Sequence, residues 1–292
     1  MAMSLRERLS GTDLLVAPGV FDGISARIAD ALPFEALYMT GYGTVASHLG
    51  LPDAGIATYT DMLSRVAMIA GCSPKPLIAD GDTGYGGLLN VQHTVRGYEA
   101  AGAAAIQLED QVFPKKCGHM PGRRVAPAQD MVEKIRVACA SRRSPDFLII
   151  ARTDARTTLG LDEALRRAEA YARAGADLLF IESPESVEEM ERIGRSFDLP
   201  LVANMVEGGR TPVLTKAELA RIGYRLAIFP TLGLLAAGQA LAAAYGHLAA
   251  TGSSVGVPVP LHDFQEFGAL MGFGAVAAFD RRWARDPAPG QS

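Results

Sequence analysis

Cysteine is scarce in this chain: Cys72, Cys117 and Cys139 are the only three, and no two form a CxxC pair. An odd, sparse set of this kind excludes a disulfide framework and a zinc site of the usual spacing. An excess of basic charge is also missing. The formal net charge is -4 and no basic stripe stands out, so the electrostatic footprint of a nucleic-acid binder is absent. The opening residues, MAMSLRERLSGTDLL, are charged and have no apolar core, which argues against a secretory signal. The most apolar stretch, 226–250, is broken by Pro230 and by glycines and carries His247. It is expected to form a strand followed by a buried Ala/Leu helix rather than a membrane span. No Gly-x-Gly-x-x-Gly follows the first expected strand, which disfavours a dinucleotide-binding fold. These absences predict a cytoplasmic protein with neither nucleic acid nor membrane as partner.

What is present is an alternation. Short apolar runs at 14–20, 34–40, 75–81, 104–110, 147–154, 177–183, 199–205 and 225–231 read as strands, with amphipathic segments between them. In 161–172, Leu161, Ala164, Leu165, Ala168 and Ala172 recur at helical spacing, with Arg166, Arg167 and Glu169 on other faces. Asn90, Ser186 and Thr215 stand where helix N-caps belong. Ala101-Gly102-Ala103 and Ala174-Gly175-Ala176 look like helix ends leading into strands. Eight strand–helix units in 292 residues predict an α/β protein with a closed (β/α)8 TIM barrel; an open doubly wound sheet is the rival. One barrel domain is expected to fill 1–292. The segments 232–252 and 263–283 exceed the single closing helix that a barrel needs. They are expected to form a C-terminal helical extension, about 232–283, available to another subunit.

The polar residues inside these apolar runs gather at their C-terminal ends: Asp80 and Asp82, Glu109 and Asp110, Arg152 and Asp154, Glu182, Asn204 and Thr231, with Tyr42 and Gly43 after the second strand. In a barrel those ends meet on one face, where active sites are built. Asp80, Asp82, Glu109 and Glu182 offer hard oxygen ligands, with no His or Cys pair competing, which favours Mg2+ or Mn2+ over zinc. The alternative is a salt-bridge network with Arg152 and nearby lysines. The segment 111–126 is basic and glycine-containing. Lys115, Lys116 and His119 around Cys117 favour a thiolate, and Gly118 and Gly122 suit a mobile lid. The bland alternative is a surface loop with an incidental thiol. Cys72 and Cys139 read as small core residues. GDTGYGG (81–87) lacks the ending of a P-loop.

The motifs TGYG (40–43), LGLPDAG (49–55), ADGDTGYGG (79–87), LEDQVFPKKCGH (108–119) and ARTDA (151–155) together resemble the isocitrate lyase/phosphoenolpyruvate mutase superfamily, from about residue 15 to residue 250. KKCGH is specific to its lyase branch. The resemblance extends to the 2-methylisocitrate lyase group. It is closer still to the dimethylmalate lyase and petal-death-protein group, through GDTGYGGLLNVQ (81–92) and NMVEGGRTP (204–212). It implies a homotetramer, a dimer of dimers, whose last helix swaps between subunits. It implies a Mg2+-dependent carbon–carbon lyase that splits a 2-hydroxy di- or tricarboxylate into a 2-oxo acid such as pyruvate and a carboxylate. The substrate class is a 2-alkylmalate, such as 2,3-dimethylmalate, or 2-methylisocitrate.

The resemblance also assigns roles. Asp80 touches the metal, while Asp82, Glu109 and Glu182 hold its waters. Arg152 and the backbone at Tyr42 and Gly43 bind a substrate carboxylate. Cys117 is the general acid. His119, Asn204, Gly209 and Arg210 surround the second carboxylate, Lys116 and Gly118 bind substrate, and Asp53 moves with the gate. Glu109, Tyr42 or a bound water takes the hydroxyl proton. Thr231 lies where relatives vary, so it bears on specificity. Two other readings remain: an oxaloacetate hydrolase or decarboxylase on the same site, and a non-catalytic carboxylate-binding protein.

Overall fold

Strands that are covered on both faces need apolar side chains at every position, not at alternate ones. That is why the runs found in the sequence are continuous. A computed structural model describes residues 3–283 except His119 and Pro121. Among these residues the runs form eight strands: β1 (Leu15–Val20), β2 (Leu37–Met39), β3 (Leu77–Asp80), β4 (Ala105–Glu109), β5 (Leu148–Thr153), β6 (Leu178–Ile181), β7 (Val202–Asn204) and β8 (Leu226–Phe229). β3 to β6 are buried at every position.

All pairings are parallel, in the order β6-β5-β4-β3-β2-β1-β8-β7. β8 pairs with β1 at Leu15↔Leu226, which an open doubly wound sheet does not allow. The remaining seam is bridged in parallel at Leu179↔Leu201, where the Leu179 N–H donates to the Pro200 carbonyl at 3.1 Å. The sheet is a nearly closed barrel surrounded by helices.

Side chains divide between two layers by strand parity. Leu15, Ala17, Tyr38, Ile78, Ile150, Phe180 and Ile228 belong to one buried cluster, and the N-terminal helix adds Leu5 and Leu9 to it. Their neighbours in sequence, including Leu77, Ala79, Ile106, Ile149 and Leu179, pack with the helices instead. Burying one such side chain contributes about 1.5–3 kcal/mol.

The helix Leu161–Arg173 matches its predicted span and buries Ala164, Ala168 and Tyr171. It also buries Arg167, contrary to the outward face expected for it, because Asp110 accepts its charge at 3.0 Å. Ser186 and Thr215 are N-caps, accepting from the backbone N–H of Glu189 and Glu218. Asn90 is not. The cap is Gly87, and Asn90 sits three residues later with its side-chain oxygen accepting from the Gly87 N–H at 3.1 Å. Gly102 and Gly175 follow their helices at φ +98 and +107, a left-handed turn that glycine makes without steric penalty.

The chain divides into two compact units, one up to Ala237 and one from Gly238 onwards. The helix Leu232–Thr251 is long and apolar enough to cross a membrane, and none of its residues is buried in the single chain, unlike the buried helix expected there. The second unit goes on to the helices Phe264–Leu270 and Phe273–Trp283 and exposes Phe264, Phe273, Phe279 and Trp283.

Candidate active site

The C-terminal strand ends bring acids and one arginine to a common cavity of about 280 Å³. Asp80 ends β3, Glu109 ends β4, Arg152 lies one residue before the end of β5, and Asn204 ends β7. All four line the cavity, as do Tyr42, Asp53, Lys116, Cys117, Gly118, Gly209 and Thr231. Four of the expected residues that the structure describes are not in its wall: Asp82, Glu182, Gly43 and Arg210. Asp82 reaches it through Lys115, Glu182 contacts Arg152, and the Gly43 N–H is taken by the Thr40 hydroxyl at 3.4 Å. Arg210 is not brought to the cavity. It pairs with Glu185 at 3.2 Å, and both side chains are well exposed. His119, expected near the second carboxylate, lies outside the described residues.

Arg152 is 6% exposed and is surrounded by carboxylates. Its Nε and Nη2 donate to Asp154 at 3.0 and 2.9 Å, while Glu109 and Glu182 stand at 3.4 and 3.3 Å. Burial works against its charge, but Asp154, Glu109 and Glu182 together hold it well above its usual pKa. Asp154 is lowered despite burial, because Arg152 and Arg123 both donate to it. Glu109 and Asp80 are raised by burial, with Arg152 opposing at Glu109 and Lys115 opposing at Asp80. Burial lifts Asp82 to about 7 against the pull of Lys115.

The segment after β4 lies over this cavity. Lys115 Nζ bridges Asp53 at 2.5 Å and Asp82 at 2.6 Å and is 3% exposed. It was expected to favour a Cys117 thiolate; its charge is instead committed to two carboxylates. The Cys117 N–H donates to the Asp53 carbonyl at 3.3 Å, which joins the PDAG turn to the lid. Gln111 braces the lid from within, exchanging bonds of 2.8 and 3.0 Å with the Lys116 backbone. Ser183 donates to the Gly118 carbonyl at 3.1 Å. Asp82 and Ser183 both sit at positive φ, 49 and 59. Such strain in non-glycine residues persists where the surroundings over-determine it, as at functional sites. An added Cβ at Gly118 would lie 2.3 Å from Arg152 Nη2 and 2.9 Å from Glu182, so only glycine seats the lid this closely.

The acids could hold a divalent cation. Asp53, Asp80, Asp82, Glu109, Asp154 and Glu182 are buried, and the buried cations facing them are Lys115, Arg123 and Arg152. The salt-bridge reading is therefore correct for part of the cluster but leaves an acidic excess. Among the described residues Glu109 Oε1 is buried without a hydrogen-bond partner, an acceptor that asks for a cation or water. Among the described residues no three acid, His or Cys side chains converge as a full cage. Mg2+ does not need one, since it keeps several waters and takes one or two carboxylates.

Several cavity residues were not anticipated. Tyr38 donates to Gln107 at 3.2 Å, and Gln107 lies 3.5 Å from Asp80. Tyr38 has the parity of Thr40, so strand alternation would have pointed both inward. Glu207 accepts from the Thr231 hydroxyl at 2.9 Å. Outside the cavity wall, Arg123, given no role of its own within the basic segment 111–126, is 4% exposed and donates to Asp154.

Comparison with known proteins agrees with this geometry. The sequence family described as phosphoenolpyruvate phosphomutase matches residues 5–249. The chain is 49% identical to 2,3-dimethylmalate lyase from Eubacterium barkeri, covering 97% of this chain and 98% of that one. It is 40% identical to 2-methylisocitrate lyase from Aeropyrum pernix, over 92% and 86%. A solved structure of oxaloacetate acetylhydrolase with the inhibitor 3,3-difluorooxalacetate superposes with a TM-score of 0.92 at 38% identity, covering 98% and 97%.

Proposed function

The chain belongs to the isocitrate lyase/phosphoenolpyruvate mutase superfamily, and on that footing we propose that it is a Mg2+-dependent lyase that cleaves a 2-hydroxy di- or tricarboxylate. A 2-alkylmalate such as 2,3-dimethylmalate is the leading substrate class, with 2-methylisocitrate next. The observation that supports this reading is that Cys117 lines the same cavity as Asp80, Glu109 and Arg152.

Asp80 would hold the ion, with Asp82, Glu109 and Glu182 around it; Mn2+ is an acceptable substitute. When bound, the ion supplies Lewis acidity at the hydroxyl-bearing end of the substrate. Arg152 and the backbone at Tyr42 bind the adjacent carboxylate and fix the carbon–carbon bond in the cavity. Glu109 or Tyr42 accepts the hydroxyl proton. The electron pair left on oxygen then closes to the C=O of a 2-oxo acid, and the C2–C3 electron pair leaves with the carbon next to the second carboxylate. Lys116 and Asn204 offer donors to that carboxylate as charge builds. The Cys117 Sγ–H protonates the leaving carbon, completing the second product. Gly118 and Ser183 keep the lid down and water out. The reading includes cytoplasmic residence and a tetramer with exchanged C-terminal helices, which would cover the exposed Phe264, Phe273, Phe279 and Trp283.

The similarity to oxaloacetate acetylhydrolase favours a second reading, hydrolysis of oxaloacetate on the same site. One experiment separates the two. The protein is incubated with Mg2+ and 2,3-dimethylmalate, other 2-alkylmalates, 2-methylisocitrate, isocitrate or oxaloacetate, and 2-oxo acid or oxalate is measured. Turnover of a malate derivative, lost with EDTA and in Cys117→Ser, is expected. Oxaloacetate turnover that survives Cys117→Ser, with no lyase activity, overturns the lyase reading in favour of the hydrolase.

A further inference from the structure

Asp154 is shared. Its Oδ1 accepts from Arg152 Nη2 at 2.9 Å and from Arg123 Nη1 at 2.5 Å, and its Oδ2 accepts from Arg152 Nε at 3.0 Å. The two arginines come from different parts of the fold. Arg152 is fixed in β5, whereas Arg123 lies where the lid returns to the barrel, two residues before the bridge between Gln111 and Val125. Arg123 is further held by Thr157, whose hydroxyl accepts from its Nη2 at 2.6 Å. Neither charge of the Arg123–Asp154 pair is solvated: their side chains are 1% and 0% exposed. Screening is therefore weak, and a change at one charge is felt by the other.

A carboxylate that serves two guanidinium groups neutralises each of them less than one that serves a single group. With Arg123 absent, the full charge of Asp154 falls on Arg152, which already faces Glu109 and Glu182. An arginine so surrounded attracts a further carboxylate poorly. With Arg123 in place, Asp154 still accepts from Arg152 at 2.9 and 3.0 Å, but Arg123 offsets part of its charge and Arg152 keeps more positive potential on its open side. Arg123 Nε is buried with no hydrogen-bond partner among the described residues. A buried donor without an acceptor is costly, so the seated position is easier to leave than a fully satisfied anchor.

We propose that Arg123 is a positioning residue that couples the lid to substrate affinity: seated on Asp154 when the lid is down, it offsets part of the Asp154 charge and leaves Arg152 better able to attract the substrate carboxylate. The proposal rests on the reading of Arg152 as the carboxylate-binding group. It accounts for a buried arginine at the end of a loop whose chemistry is otherwise concentrated in 115–118.

The test uses the full-length protein with Mg2+, oxalate as a dicarboxylate probe, and two readouts that need no turnover. Calorimetry gives oxalate affinity. Peptide mass spectrometry gives the rate at which iodoacetamide labels Cys117, which reports lid opening. Arg123→Gln is expected to bind oxalate about tenfold more weakly and to label about tenfold faster, while Arg123→Lys restores both to within about threefold. With the preferred substrate, Arg123→Gln is expected to raise KM about tenfold and leave kcat within about threefold, the signature of lost uniform binding. Wild-type affinity and labelling in a folded Arg123→Gln protein overturns the proposal. So does an Arg123→Lys protein as impaired as the glutamine variant, because charge would then not be the cause. Should Arg123→Gln fail to fold, Thr157→Val carries the test, with a smaller change in the same direction expected and no change counting against. A wild-type protein that turns over none of the 2-hydroxy acids sinks the lyase reading alone, since labelling and oxalate binding still decide the role of Arg123.

Discussion

Replacing Gly118 with alanine adds one methyl group at the closest contact in the site. The new Cβ would lie 2.3 Å from Arg152 Nη2 and 2.9 Å from the Glu182 carboxyl. Both neighbours are buried and charged, at 6% and 0% exposure, and Arg152 is held from its other side by Asp154. Ordinary contact begins at about 3.4 Å, so lid and arginine must separate by about 1.1 Å. The φ of Gly118 lies outside the left-handed region, so alanine brings no backbone strain of its own. A displacement of about 1 Å at a positioning group costs roughly 100-fold in rate, equivalent to about 2.7 kcal/mol of barrier. We therefore expect Gly118→Ala to lower kcat/KM about 100-fold or more on the best substrate while shifting global stability by no more than about 1 kcal/mol. Steady-state kinetics and thermal unfolding of the same preparation provide the check. A Gly118→Ala enzyme within threefold of wild type would show that the lid does not rest on Arg152 during turnover, and the reasoning from this contact would fail.

Cys117→Ser should lose between about 10²- and 10⁴-fold in turnover, as expected for a general acid, while retaining ligand affinity; weak binding with normal chemistry is the contrary result. The Asp82 carboxyl, lifted by burial to about 7, lies well above its unfolded value near 4. A raised folded pKa means that this contribution to stability is fully present below about pH 4 and is lost as pH rises through about 7. Metal-free protein should therefore melt higher at pH 6 than at pH 8, with Mg2+ restoring the pH 8 value; equal melting points in EDTA would contradict this. Asp110 accepts from Thr153, Tyr171, Arg167 and the Asp154 N–H within the core. Arg167→Met leaves its charge short of a partner and should cost about 3–5 kcal/mol in urea unfolding, against little or nothing if the pair is dispensable.

The barrel was legible because double-sided burial writes itself as uninterrupted apolar runs, and because β3, β4 and β5 carry acids or an arginine at their ends that no apolar core would tolerate unpaired. Gly102 and Gly175 marked helix ends because few other residues take their φ. Asn90 was misplaced for a physical reason: polar side chains serve at both the cap and the third helical position, the first accepting from the helix N–H groups and the second, as here, from the N–H of the cap itself, so the two look alike in sequence. The lid was the least legible part. Lys115, Arg123 and Arg124 are equivalent as letters, but Lys115 finds Asp53 and Asp82, and Arg123 finds Asp154. Those partners belong to distant segments, and nothing local announces the pairing. Arg210, which its motif suggested for the second carboxylate, pairs with Glu185 and is absent from the cavity wall in this structure.

The antiparallel bridge between Gln111 and Val125, with the Ala126 N–H donating to the Asp110 carbonyl at 2.8 Å, closes the lid at its base. The segment between is thus a cassette plugged into fixed sockets. The entropy of closing such a loop grows only slowly with length, by about 0.6 kcal/mol per doubling. A lineage can therefore lengthen, shorten or rewrite the stretch between the sockets with little effect on whether the barrel folds. The thiol, the lysines and the glycine that meets Arg152 all lie inside it. Innovation in this architecture is cheapest in the loop, where new reactivity can be tried while the eight strands go on holding the same acids.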